Sequence, residues 1–215
     1  MPHDSWQELQ AYLVDEFTLD LVPGGAGIEN DVIARKGREY YLRRSRERLY
    51  CETARALDYL RDPYFQCIRE AASPCEVLDY ECGIGSNGLR LAAMGYTPAF
   101  TDEPGICVDY LKWRLQWRGV EARIYKLKDA PRADLVVCLT TLDQMPPLER
   151  LAELGRVVAL GLGPLLPDKV NDLAQGLKMQ IADAYRLTHS TIFNANWLFI
   201  AFETPEPRAQ EEIDG

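Results

Sequence analysis

The chain has 215 residues, 47% of them hydrophobic and 27% charged, and a formal net charge of -9 at pH 7. That length accommodates one sizeable α/β domain with a conventional core. The acidic balance argues against duplex DNA or an anionic membrane as the main partner, because both require a basic face. Small molecules and proteins remain as partners. The N-terminus carries no charged-then-apolar leader, and no apolar run reaches the ~18 residues of a spanning helix, so a soluble cytoplasmic protein is expected. Six cysteines, Cys51, Cys67, Cys75, Cys82, Cys107 and Cys138, have neither CxxC nor zinc-like spacing and read as buried, reduced thiols. His3 and His189 are the only histidines, so no metal centre is expected.

In chain order, residues 5 to 17 place Trp6, Leu9, Leu13 and Phe17 at helical spacing behind a capping serine. Residues 30 to 71 read as further helices with an apolar stripe, broken near Asp62 and Pro63. Residues 1 to 73 are therefore expected to form a helical cap. After Pro74 the period changes. Strands are predicted over 76 to 80, 98 to 102, 122 to 126, 134 to 139 and 156 to 161, alternating with helices over 86 to 95, 105 to 118, 147 to 155 and 167 to 184. That alternation implies a parallel sheet covered on both faces. Two consecutive strands, 187 to 192 and 196 to 203, add an antiparallel hairpin, and residues 205 to 215 read as a disordered acidic tail.

The stretch VLDYECGIG, residues 77 to 85, joins the first strand to its helix. Small residues at such a turn let the backbone approach a ligand, and the free amides at a helix start bind a negative group. Gly83, Gly85 and Gly88 fit that requirement. Asp102 closes the next strand, PAFTD, seventeen residues beyond Gly85. An acid there can accept both hydroxyls of a ribose lying across the switch point of the sheet.

The segment VLDYECGIGSNGLRLAAMGYTPAFTDEPG resembles the class I S-adenosylmethionine (SAM) dependent methyltransferases, whose first motif is commonly a hydrophobic pair, Asp, any residue, then Gly-x-Gly-x-Gly. The resemblance covers about residues 74 to 203, within a cofactor-binding domain expected over 74 to 204, and implies a Rossmann-like α/β fold. In that fold a mostly parallel seven-stranded sheet ends in an antiparallel hairpin, and the cofactor is SAM. It implies that Asp79, Gly83 and Gly85, with Tyr80 and Glu81 in the same turn, surround the methionine part of SAM. It further implies that Asp102, with Glu103 beside it, holds the ribose hydroxyls, and that Asp129 lies near the adenine amine. ADLVVCLTTLDQMPP resembles the fourth motif, with Leu139, Thr140 and Asp143 at its tip near the sulfonium.

One residue departs from the pattern: Glu81 stands at the first glycine position. Its side chain is expected either to tilt away from the site or to set a carboxylate near the SAM ammonium. Tyr40 and Tyr41 are candidates for an aromatic lid over the sulfonium, although adjacent helical residues cannot share a face, which assigns at least one of them to the core. An acceptor pocket would draw on Tyr40, Tyr41, Asp143, Gln144, His189, Asn194 and Trp197. His189 is the available neutral-pH base, with a structural role as its alternative. Arg43, Arg44, Arg46 and Arg48 form a basic run from which one arginine could grip a carboxylate.

Methyl transfer to a small-molecule acceptor is the first functional reading, with alignment of the reactants and exclusion of water as the protein's main contributions. A second takes Glu81 as a base toward the SAM amine, giving intramolecular cyclisation and release of methylthioadenosine, in the manner of azetidine carboxylic acid synthases. Glu81, Tyr41 and His189 are the catalytic candidates. A third reading is a degenerate SAM-binding protein without catalysis.

Overall fold

Short apolar runs that can be buried on both faces make the centre of this protein. The computed structural model describes residues 2–13, 32–59, 62–140, 144–163, 169–193 and 197–205, without the side chains of residues 2–6, 42, 54–59, 62, 63 and 193. Phe17, Asp143, Asn194 and the tail beyond residue 205 lie outside the described residues, as does the side chain of Trp6.

Before the sheet the described residues form the helices α1 (Pro2–Leu13), α2 (Arg38–Arg44), α3 (Arg46–Tyr59) and α4 (Asp62–Ala71). A further helical turn spans 32–36 and ends at Gly37, whose φ of 86° only glycine adopts without strain. The α/β alternation follows as β1 (Glu76–Tyr80), α5 (Ser86–Ala93), β2 (Thr97–Thr101), α6 (Ile106–Arg118), β3 (Arg123–Tyr125), β4 (Ala133–Thr140), α7 (Leu148–Leu154), β5 (Gly155–Leu162), α8 (Val170–Ala184), β6 (Arg186–Phe193) and β7 (Trp197–Glu203). Each predicted strand is present within one residue at either end. The larger shifts are at helix ends. The first helix starts at Pro2 rather than Ser5, in keeping with the tolerance of proline in a first turn. The helix predicted from 167 is assigned from Val170.

The seven strands lie in the order β3-β2-β1-β4-β5-β7-β6. β1 pairs in parallel with β2 and β4, and β4 with β5, whereas β7 runs antiparallel to both β5 and β6. Val77 to Tyr80 and Leu135 to Cys138 are buried without alternation, as central parallel strands covered on both faces require. α7 and α8 cover one face through Leu148, Leu151, Val170, Leu177 and Ile181. α4 and α5 cover the other through Phe65, Ile68 and Leu91, packed on Val77, Val137, Ala159 and Phe199. Thus α4, grouped by sequence with the cap, is part of the sheet's own core. The cap proper packs elsewhere: Leu9 of α1 and Leu49 and Tyr50 of α3 meet Cys107 and Tyr110 of α6 and Ile84 of the turn after β1.

No disulfide joins the six cysteines, and all but Cys75 are buried, as their unpaired spacing predicts. Among the described residues no helix is long and apolar enough to cross a membrane.

Candidate functional site

The strand order reverses between β1 and β4, so their carboxyl ends diverge and open a crevice where α/β sheets bind ligands. The turn from β1 into α5 fills that position. Glu81 has φ 54°, the only positive value on a non-glycine among the described residues, followed by Gly83 at 54° and Gly85 at 71°. A Cβ at Gly85 would come within 2.3 Å of Leu111 Cδ1, and one at Gly88 within 2.3 Å of Phe100. The glycines are thus required by backbone angle and by packing. Glu81 occupies a left-handed position that costs a residue with a Cβ about 1–2 kcal/mol.

Two carboxylates hold the turn. Asp79, 1% exposed at the end of β1, accepts the Gly88 N–H through Oδ2 at 2.8 Å and is also bonded by the Asn87 side chain. Its Oδ1 is buried and has no hydrogen-bond partner among the described residues. Burial raises the Asp79 carboxyl to about 7, against the pull of the Gly88 amide. Asp102, just past β2, accepts the Gly83 N–H through Oδ2 at 2.6 Å and the Glu103 N–H through Oδ1 at 2.7 Å. Burial also raises Asp102, opposed by the Gly83 bond and by the charge of Arg48.

Helix α3 closes over this turn. Glu52 Oε2 lies 3.7 Å from where a Gly83 Cβ would sit, and Arg48 is 3.7 Å from Glu52 one helical turn along. Glu52, Glu81, Gly83, Ser86, Asn87 and Leu139 line a cavity of about 60 Å³. Partial burial and the nearby Asp102 charge raise Glu81 to about 7. Carboxyl groups that resist ionisation favour a cationic occupant, which would relieve their mutual repulsion.

A buried arginine fixes the turn from behind. Arg114 of α6, 1% exposed, donates to the Ile84 carbonyl at 2.7 Å, to Ser86 Oγ at 3.0 Å and to Glu8 Oε2 of α1 at 2.9 Å. Glu8 is also paired with Arg118. The glycine turn, α6 and the first cap helix therefore share one ion-pair network.

No protein-family model matches the sequence, and no curated protein does. Solved structures do match in fold. Magnesium protoporphyrin IX methyltransferase (ChlM) from Synechocystis PCC 6803, with bound SAM, is 16% identical over 86% of this chain and 99% of its own, at a TM-score of 0.52. TehB from Haemophilus influenzae is 14% identical over 68% of this chain and 63% of its own, at 0.52, so this chain spans less than two thirds of TehB. The PH0226 protein from Pyrococcus horikoshii OT3 is 12% identical over 80% of this chain and 98% of its own, at 0.54. The fold is that of the class I methyltransferases.

Within that fold the predicted SAM residues gather at one rim. Asp79, Tyr80, Glu81, Gly83 and Gly85 end β1 and form the turn, Asp102 and Glu103 follow β2, Asp129 follows β3 in a short 3-10 turn, and Leu139 and Thr140 end β4. Asp129 is exposed. Trp197 also lies at this rim, its indole packed against Gly163 just past β5.

Three of the sequence-predicted residues are placed differently. His189 sits on edge strand β6, four strands from β1, or roughly 19 Å at the usual strand spacing. There it faces Glu70 and Phe199, not the crevice, so the structure does not support it as the base. Tyr41 is 1% exposed and is not among the cavity-lining residues, because the α2 face that carries it packs inward. Tyr40, on the adjacent face, stacks under Lys36, with Nζ 4.8 Å from the ring centroid. The pair does not form an aromatic lid in this arrangement. Of the basic run, Arg48 is the arginine whose charge acts on Asp102. Glu52 and the Glu8–Arg114 pair escape the sequence reading. The i,i+4 spacing of Arg48 and Glu52 is the signal that could have found the first, and nothing local marks a pair 106 residues apart.

Proposed function

We propose that this protein binds SAM in the crevice between β1 and β4 and transfers its methyl group to a small-molecule acceptor. The observation that carries the reading is the lock between the glycine turn and the acid after β2, Gly83 N–H to Asp102 Oδ2 at 2.6 Å, at the switch point of a class I methyltransferase fold. The residues present suit the cofactor: the buried, unpartnered Asp79 Oδ1 and the raised Glu81 carboxyl favour a cationic amino acid moiety. The small residues of the turn allow close backbone approach. Asp102 and Glu103 would hold the ribose hydroxyls, and Leu139 and Thr140 would border the sulfonium. When bound, SAM supplies an electrophilic methyl group.

The chain's own contribution is positioning and exclusion of water. A cavity of about 60 Å³ is well below the roughly 300–1,000 Å³ of small-molecule sites. Entry of a nucleoside-sized ligand therefore requires α3, which carries Glu52, to move off the turn, and its return seals the site. The formal net charge of -9 favours a small acceptor over nucleic acid.

Glu81 supports a second reading. A partly buried carboxyl near pH 7 can take a proton from an amine. In that reading Glu81 accepts the ammonium proton as the freed nitrogen attacks the γ-carbon of SAM. The carbon–sulfur bond then breaks, with its electron pair leaving on methylthioadenosine, and a four-membered amino acid ring remains.

Incubating the purified full chain with SAM, and following binding by calorimetry and products by mass spectrometry, separates these readings. Methyl transfer predicts SAM binding that Asp102→Asn weakens by roughly tenfold, about 1.4 kcal/mol, with no methylthioadenosine formed. Methylthioadenosine from wild type but not from Glu81→Gln would establish the cyclisation instead. Absence of SAM binding would overturn both.

A further inference from the structure

At the far edge of the sheet from the glycine turn, three side chains of metal-ligating chemistry converge. Cys67 Sγ, a Glu70 carboxylate oxygen and a His189 ring nitrogen all lie within 4.8 Å of one another, with His189 Nδ1 3.8 Å from Glu70 Oε2. Cys67 and Glu70 share a face of α4 because they are three residues apart on a helix. His189 comes from β6, 119 residues later in the chain, so only the tertiary structure unites the set.

The backbone supplies an independent sign that His189 is aimed here. Leu187 pairs with Phe202, but the next pairing joins His189, not Thr188, to Ala201, which marks a β-bulge. Ala201 belongs to the sheet face that α4 covers, and Phe202 to the opposite one. Without the bulge Thr188 would stand opposite Ala201 on the α4 side. The extra residue instead puts the imidazole there, and bulges are used to re-aim a side chain in this way. Phe199 then steadies the ring edge-on, with centroids 5.5 Å apart.

We propose that Cys67, Glu70 and His189 form a binding site for a divalent cation of the zinc class, which staples helix α4 to the edge strand β6. Sulfur, imidazole nitrogen and carboxylate oxygen together suit borderline cations such as Zn²⁺, and three protein ligands leave a fourth position for water. Ligand atoms around tetrahedral zinc stand about 3.5 Å apart, given bonds of ~2.0–2.3 Å, so from separations within 4.8 Å the set must contract by at most about 1.3 Å. The half-exposed Glu70 side chain, and to a lesser degree the partly buried His189, have the freedom to do so. The ordinary alternative, a carboxylate beside an imidazole at an exposed edge, would contribute little. It leaves both the bulge and the adjacent thiol without a purpose. Burial and the Glu70 charge keep the Cys67 thiol protonated on its own, and a cation would reverse that by stabilising the thiolate, releasing a proton on binding. This site is independent of the SAM reading and stands or falls without it.

The test uses the tag-free full chain, stripped with a chelator and titrated with Co²⁺ alone. Coordination by Cys67 produces a sulfur-to-cobalt charge-transfer band in the near ultraviolet that saturates at one equivalent and is displaced by Zn²⁺. Cys67→Ser and His189→Asn are expected to abolish the band, and Glu70→Gln to weaken binding by at least roughly tenfold. His189→Asn and Glu70→Gln change partly exposed side chains, so an unaltered circular dichroism spectrum accompanies the loss. No band from the wild type, or a band that survives both His189→Asn and Glu70→Gln, would overturn the proposal.

Discussion

Replacing Glu81 by glycine should stabilise the protein, and by more at high pH than at low. Two effects add. At φ 54° a side chain costs about 1–2 kcal/mol, of which glycine loses about 0.5–1 through the greater freedom of its unfolded chain. The net from strain is a gain of roughly 0.5–1 kcal/mol. The second effect is electrostatic. The Glu81 carboxyl moves from 4.5 to about 7 on folding, so its charged form is disfavoured in the fold. Wild type therefore loses stability as pH rises from 4.5 through 7 and regains it on acidification. Fully buried, that displacement would be worth roughly 3 kcal/mol; with the carboxyl partly in solvent, about 1–2 kcal/mol remains.

Glu81→Gly should thus gain roughly 1–2 kcal/mol at pH 5.5 and roughly 2–3 at pH 8, each kcal/mol raising the melting temperature by about 2–4 °C in a chain of this size. Urea titrations of both proteins at the two pH values measure the difference by linear extrapolation. Asp79, also raised to about 7, imposes the same trend on both and cancels in the comparison. Glu81→Gln retains the strain and removes the charge, so it should recover only the pH-dependent part. A gain of equal size at both pH values would refute the electrostatic argument, and a loss at both would show that the Glu81 side chain holds the turn in place.

Arg114→Met should destabilise by about 3–5 kcal/mol in urea titration, since it leaves Glu8 buried with only Arg118 and removes the donors to Ile84 and Ser86. Arg114→Lys should not restore stability, because one ammonium cannot reproduce the planar guanidinium's bonds to three groups. Gly85→Ala should lose roughly 2–5 kcal/mol, from strain at φ 71° and a Cβ 2.3 Å from Leu111. Adding Leu111→Ala should recover part of that loss beyond simple additivity, the signature of a direct clash.

The sheet and the glycine turn at its switch point were legible in the sequence. Strand and helix periodicity are local properties, so β1, β2, β4 and β5 and their intervening helices could be placed within about a residue at most ends. Their alternation implies a parallel sheet covered on both faces, and the class I arrangement is what the motif resemblance implies. Gly83, Gly85 and Asp102 were legible as one cluster because a tight strand-to-helix turn needs glycine, and the structure joins that turn to the acid after β2 through the Gly83 N–H.

The tertiary structure decided what local pattern cannot carry. That α4 belongs to the sheet core rather than the cap depends on which of two apolar surfaces its Phe65 and Ile68 meet. The position of His189 depends on a single-residue bulge that moves it onto the α4 face, beside Cys67 and Glu70. The burial of Tyr41, the closure of Glu52 over the turn and the Glu8–Arg114 pair all arise from packing between segments distant in sequence. Glu81 joins the two levels. Its identity marks a departure from the glycine pattern, but only the backbone angle shows that the departure is strained, and only its burial shows that its carboxyl titrates near neutrality. Periodicity is set by neighbours along the chain, whereas burial, charge coupling and side-chain aim are set by neighbours in space.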